Sequence, residues 1–258
     1  MKLFEEELPL YIQQEKWGQI PLLHIYNETM SETTSTVFFL HGHLSAKEHN
    51  LHYAYHLVNQ GVRVIMPDAI YHGERAENLS ELDLSLKFWD IVMKSIEEVQ
   101  FLYEEGKRKG YITTGKVGIA GSSMGGIVTS ACLTQYEWID TAAICMGVTS
   151  LSKLANYQFG TIKINGSSLP MTEQQKNEAI MYLQQFDLEN KKEIFNKKPI
   201  VFWHGAQDQI IPIHLSYNYY EEQLTDTMAE FIREEKSEHK VSRQGLLKVT
   251  AFLAQHLS

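Results

Sequence analysis

From Val37 onward, short apolar runs alternate with longer stretches whose apolar positions recur every three or four residues. Runs of the first kind suit buried strands and stretches of the second suit amphipathic helices, so the alternation predicts βαβ units and a mainly parallel sheet. Thr36–Leu40 (TVFFL), Val62–Met66 (VRVIM), Lys116–Ala120 (KVGIA), Thr141–Met146, Pro199–Trp203 (PIVFW) and a segment near Ala229–Arg233 read as strands. Helices are expected over about Ala46–Asn59, stopping at Gly61, then Asp83–Glu105, Gly125–Leu133, His214–Leu224 and Ser242–His256. In the longest of these, Phe88, Val92, Ile96, Val99 and Tyr103 share one face, which the spacing assigns to the core.

Two regions depart from this rhythm. At the start, Leu8–Gln13 and Ile20–Tyr26 read as antiparallel strands around a turn at Lys16-Trp17-Gly18. Between the strand at Thr141 and the one at Pro199 the interval is too long for a single crossover helix. It carries a polar, glycine-bearing stretch, Phe159-Gly160 to Asn165-Gly166, and a helical segment over about Thr172–Gln185. The expected arrangement is one domain, residues 1–258, with a small helical cap inserted at about 148–198. Tyr157, Phe159, Tyr182 and Phe186 either line a pocket there or fasten the cap to the core.

Composition narrows the class. An apolar content of 43% with 21% charged residues is that of a folded globular chain. With 23 basic against 32 acidic residues the net charge is −9, which sets the chain against nucleic acid and anionic membranes. Two cysteines, both inside apolar runs, exclude a disulfide framework and suit a reducing compartment. The acidic opening, Phe4-Glu5-Glu6-Glu7, interrupts any secretory signal, and a cytoplasmic protein is expected.

The chemistry concentrates at Gly121-Ser122-Ser123-Met124-Gly125. A serine hydroxyl attacks a carbonyl only when it projects clear of the backbone and a base takes its proton. A tight turn from strand to helix projects it, and crowding in that turn demands small residues two before and two after the nucleophile. Gly121 and Gly125 fill those places around Ser123, while Ser122 as nucleophile would put the small neighbours off by one. The bland alternative, a glycine-rich phosphate cradle, lacks both a phosphate-loop lysine and dinucleotide glycine spacing.

A triad on such a sheet runs nucleophile, acid, base. Asp208 follows the strand Pro199–Trp203 and precedes Pro212, which sets it apart from an ordinary turn aspartate. Of the 11 histidines only His214, His239 and His256 come later, and His239 alone sits in a loop directly after a strand. The remaining requirement is for backbone N–H groups aimed at the developing oxyanion. Met124 supplies one, and the loop His41-Gly42-His43-Leu44 supplies the other through the amide of His43, while His41 is expected to make a structural hydrogen bond. His49, His52 and His56 suit an amphipathic helix better than a metal site, and Tyr71-His72-Gly73-Glu74-Arg75 reads as a salt-linked loop. No cofactor or metal is expected.

Through FLHGH from Phe39, PDAIYHGER from Pro67, GSSMGG from Gly121 and WHGAQDQIIP from Trp203, the chain resembles the α/β-hydrolase superfamily. Within it, the chain resembles bacterial esterases of the dienelactone-hydrolase and prolyl-oligopeptidase-like branch. The resemblance implies an eight-stranded, mostly parallel sheet with helices on both faces. It also implies Ser123, Asp208 and His239 as triad and the amides of Met124 and His43 as oxyanion hole. The activity it implies is hydrolysis of a small carboxylic ester with a short acyl chain, through an acyl-enzyme. A peptidase or thioesterase on the same triad, or a binding protein of the same fold, are the alternatives.

Overall fold

A computed structural model describes residues 9–161, 163–164, 167–168 and 171–258. Leu8, the acidic opening, and Asn165 and Gly166 of the polar stretch lie outside the described residues.

The sheet strands are β1 (Leu10–Trp17), β2 (Ile20–Asn27), β3 (Thr36–Leu40), β4 (Arg63–Pro67), β5 (Val117–Ser122), β6 (Thr141–Cys145), β9 (Ile200–Gly205) and β10 (Ala229–Glu234). A separate two-stranded ribbon pairs β7 (Lys163–Ile164) with β8 (Ser167–Ser168). The eight-stranded sheet has the order β1-β2-β4-β3-β5-β6-β9-β10. β1 and β2 pair antiparallel, β2 meets β4 antiparallel, and the pairings from β4 to β10 are parallel. The helices are α1 (Leu51–Val58), α2 (Glu81–Leu86), α3 (Phe88–Arg108), α4 (Met124–Gln135), α5 (Leu151–Thr161), α6 (Glu173–Leu183), α7 (His214–Gln223) and α8 (Arg243–Leu257).

Alternation along the strands sends side chains to two separate cores, as the period of two requires. On β3, Phe38 and Leu40 enter the core beneath α3 and α4, while Val37 and Phe39 enter the one beneath α1 and α8. On β9, Ile200 and Phe202 divide in the same way from Val201 and Trp203. Helices therefore cover both faces. None of the helices among the described residues is long and apolar enough to cross a membrane.

Some expected boundaries shift for local reasons. β1 runs on through Trp17, because that ring is buried and its Nε1 donates to Glu15 at 2.7 Å; the turn falls at Gly18, where φ is +58°. The expected helix from Asp83 breaks at Lys87: Ser80 caps α2 in a capping box with Asp83, and α3 starts afresh at Phe88. Val92, Ile96 and Val99 are buried as their spacing requires, together with Ile91 and Leu102, whereas Phe88 and Tyr103 are only partly covered.

The interval after β6 differs most. Its first part is the helix α5, which the apolar spacing does not announce and which takes in Phe159 and Gly160 of the polar stretch. Leu151, Leu154 and Ala155 of that helix, with Leu183, Leu188 and Phe195, join the core beneath α4. Both ends of this interval are thus packed into that core, and α6 between them buries only Leu183.

Candidate active site

The four non-glycine residues of positive φ among the described residues are Leu44, Tyr71, Ser123 and Met146. They follow β3, β4, β5 and β6 in turn, so backbone strain gathers at one edge of the sheet, the edge where the carboxyl ends of parallel strands place ligands. Ser123 has φ 57° and ψ −118° between β5 and α4. A methyl group on Gly121 would overlap the backbone of Gly125, and one on Gly125 would overlap the carbonyl of Leu40. Those two glycines are what lets the chain turn this sharply. The Ser123 amide donates to Cys145 O at 2.9 Å, which ties the turn to the end of β6.

His239 Nε2 lies 2.8 Å from Ser123 Oγ, and His239 Nδ1 lies 2.7 Å from Asp208 Oδ2. A carboxylate only accepts, so Nδ1 carries the proton and Nε2 is left with a lone pair for the serine hydroxyl. Asp208 Oδ1 accepts from the amides of Ile210 and Ile211 at 2.9 and 3.0 Å. His204 Nε2 donates to Ile211 O at 2.8 Å and stands 3.2 Å from Asp208 Oδ2. Burial works to raise the Asp208 carboxyl, but the hydrogen bonds from His204, His239 and the Ile211 amide outweigh it and hold the group well below the usual carboxylate range. The structure thus brings together the three side chains singled out in the sequence.

Two contributors have only a faint signature in sequence. His204 is one, inside the WHGAQDQ run. Glu234, at the end of β10, is the other: its carboxylate accepts from Trp203 Nε1, Ser237 Oγ and Ser242 Oγ at 3.0, 2.8 and 2.7 Å, clamping both ends of the loop that carries His239. Gly205 lets that loop approach, since a methyl there would overlap the carbonyls of Ser237 and Glu238.

On the other side of Ser123 the loop after β3 passes close by. A methyl on Gly42 would sit 3.4 Å from Ser123 Cβ, so the following residue, His43, begins next to the nucleophile. His41 fixes this loop: its Nδ1 donates to Gly42 O at 2.8 Å and its Nε2 accepts from the Ala69 amide at 3.0 Å. The expected structural role of His41 is therefore met. His72 does the same one step on, donating from Nδ1 to Ile70 O at 2.9 Å and accepting from the Leu44 amide at 3.1 Å. Both arrangements need a neutral ring, and burial, only partly countered by the Gly42 hydrogen bond, pushes His41 down to about 4. Burial, with His72 close by, brings His43 to about 4 as well; its ring packs edge-on against Phe88.

Beneath these loops lies a buried lysine. Lys47 Nζ donates to Asp68, Glu74 and Glu48 at 2.6, 2.7 and 2.9 Å, while its amide donates to Asp68 Oδ1 at 3.0 Å. Arg75 meets Glu98 through two nitrogens at 2.7 and 2.8 Å. The segment from Tyr71 to Arg75 is the salt-linked loop its sequence suggests, and it braces the loop of His43. Met124 opens α4, where the first amides of a helix have no partner within it.

A cleft of about 660 Å³ opens beside Ser123. Phe159 and Tyr182 line it, whereas Phe186 is buried in the core and Tyr157 packs against that core.

Sheet order, sharp serine turn and hydrogen-bonded serine, histidine and aspartate define an α/β-hydrolase of the serine type. The sequence pattern of the prolyl oligopeptidase family matches residues 52–258, and the chain belongs to that family. It is similar to the putative esterase YitV of Bacillus subtilis, with 35% identity over 96% of this chain and 100% of that protein. It is also similar to esterase YjfP of Escherichia coli, with 26% identity over 95% of this chain and 99% of that one. Among solved structures, TT1662 from Thermus thermophilus shares the fold with a TM-score of 0.74 at 18% identity, over 97% of this chain and 99% of that chain.

Proposed function

We propose that this protein hydrolyses carboxylic esters by two-step acyl transfer, with Ser123 as nucleophile, His239 as general base and acid, and Asp208 as the group that orients His239. The observation that carries the reading is the unbroken line from Asp208 through His239 to Ser123, at 2.7 and 2.8 Å. Ser123 Oγ attacks the ester carbonyl as its proton passes to His239 Nε2. The amides of Met124 and His43 receive the oxygen that becomes negative. Collapse breaks the bond to the alcohol oxygen, which takes the proton from His239 and leaves an acyl-enzyme. Water, deprotonated by the same nitrogen, then releases the acid and restores Ser123. Asp208 stays ionised throughout and stabilises the imidazolium.

The names of the two esterase relatives support ester substrates. We read the chain as a single domain in which the insertion at 148–198 acts as a cap over the cleft. A cytoplasmic location is supported by Cys132 and Cys145, both free and buried.

The test is to treat wild type and Ser123→Ala with a fluorophosphonate probe and with p-nitrophenyl acetate. Labelling and hydrolysis are expected to vanish together in the variant. Undiminished labelling of Ser123→Ala would overturn the assignment.

A further inference from the structure

The cleft beside Ser123 is much larger than a short acyl chain requires. Its volume of about 660 Å³ falls in the range of sites that enclose a ligand of many heavy atoms, and an acetyl group would fill a small corner of it. The wall is dominated by apolar side chains from separate elements, among them Phe88, Trp89 and Met93 of α3, Phe159 of α5 and Leu183 of α6. Asp90, its charged member, is exposed and acidic, which disfavours a carboxylate-bearing acyl tail.

The rim carries the argument further. Leu82 and Leu86 of α2, Tyr182 of α6 and Ile210 after β9 all line this cleft, yet they are 43%, 49%, 55% and 63% exposed. Large apolar side chains left in water singly are ordinary, but several converging from three elements on one opening mark a surface that a ligand covers. Which half of the ester covers it follows from the mechanism. The leaving alcohol takes its proton from His239, so the alcohol sits over His239, and that residue is not part of the cleft wall. The acyl half is left to enter the cleft.

We propose that the preferred substrates are esters of a large, uncharged, apolar acyl group, alkyl or aryl, of about six to twelve carbons. This rests on the ester-hydrolase reading above and goes beyond the short acyl chain suggested by the sequence: short esters are turned over, and larger ones are favoured. A methylene moved from water to an apolar wall is worth about fourfold in binding, so even partial burial of the longer chain gives a large preference.

The experiment compares kcat/KM for p-nitrophenyl acetate, octanoate and 3-phenylpropanoate, with the fluorophosphonate probe run in parallel. Octanoate, phenylpropanoate or both are expected to exceed acetate by at least about 30-fold; which of them gains tells alkyl from aryl. Ala179→Trp on the cleft wall and Leu86→Glu on the exposed rim should each lower the ratio of the larger ester to acetate by about tenfold or more. Acetate equal to or better than both larger esters would overturn the proposal, as would an unchanged ratio in both variants with native circular dichroism. If no ester is cleaved and the probe does not label Ser123, the ester-hydrolase reading falls and this proposal with it.

Discussion

Asp208 and His239 are 31 residues apart in sequence, yet Oδ2 of one meets Nδ1 of the other at 2.7 Å. Parallel pairing of β9 with β10, which sets His204 opposite Arg233 and Gly205 opposite Glu234, brings the two following loops side by side. The hydrogen bond also fixes the tautomer of His239. In Asp208→Asn the amide oxygen can keep the Ile210 and Ile211 amides, which turns the NH₂ toward His239 and forces the proton onto Nε2. Ester turnover should fall by about 10⁴-fold, far more than the loss of the charge-assisted hydrogen bonds to His204 and His239 lowers stability. Steady-state kinetics beside a urea melt checks this, and a loss below about tenfold would remove Asp208 from its role.

His256 provides the control for the base. It lies in the last turn of α8 with its ring against Phe252 at 4.5 Å, and its carbonyl accepts from Lys116 Nζ at 3.1 Å, just before β5 begins, whereas Ser123 follows the other end of that strand. His239→Ala should lose turnover by orders of magnitude, and His256→Ala should keep it within about threefold. The opposite ranking would relocate the base.

Gly125 and Gly160 test the backbone argument. A methyl on Gly125 meets the Leu40 carbonyl, a backbone atom of β3 that has nowhere to go, whereas nothing stands within 4 Å of one on Gly160 in α5. Gly125→Ala should cost more than about 3 kcal/mol or prevent folding. Gly160→Ala should gain about 0.5–1 kcal/mol from helix propensity. Equal urea midpoints for the two variants would refute the account of the turn.

Stability should fall as the solution is made mildly acidic. His41 is held neutral in the fold down to about 4, while in the unfolded chain it takes up a proton below its ordinary value of 6.5. The unfolded state therefore binds more protons between those values, and stability present above 6.5 is lost as pH falls toward 4. From pH 7 to 5 the loss from His41 is on the order of 2 kcal/mol. Asp208 adds nothing in that window, because its depressed value makes its contribution vanish only below the ordinary carboxylate range. Urea melts at both pH values, compared with His41→Asn, should show the steeper fall in wild type. Parallel slopes would exclude His41 as the source.

Much of this was legible from the residues one at a time. The strand-turn-helix at Ser123 depends on neighbours two places away, so Gly121 and Gly125 announce it locally. Chain order and position after a strand were enough to single out Asp208 and His239, and His41 could be read from its place after TVFFL. The break at Lys87 and the helix at Leu151–Thr161 were not visible in the same way, since Leu151, Leu154 and Ala155 become core only by meeting α4.

The sequence by itself determined the fold class, the strained serine and the three side chains that meet there, because each leaves a short-range pattern of apolar spacing or glycine placement. The tertiary structure decided what holds and surrounds them: Glu234 clamping the His239 loop, His204 on Asp208, Lys47 buried among three carboxylates, and a cleft walled by α2, α3, α5 and α6. Those contacts join residues far apart in the chain, and pairings made by packing leave no periodicity for the sequence to show.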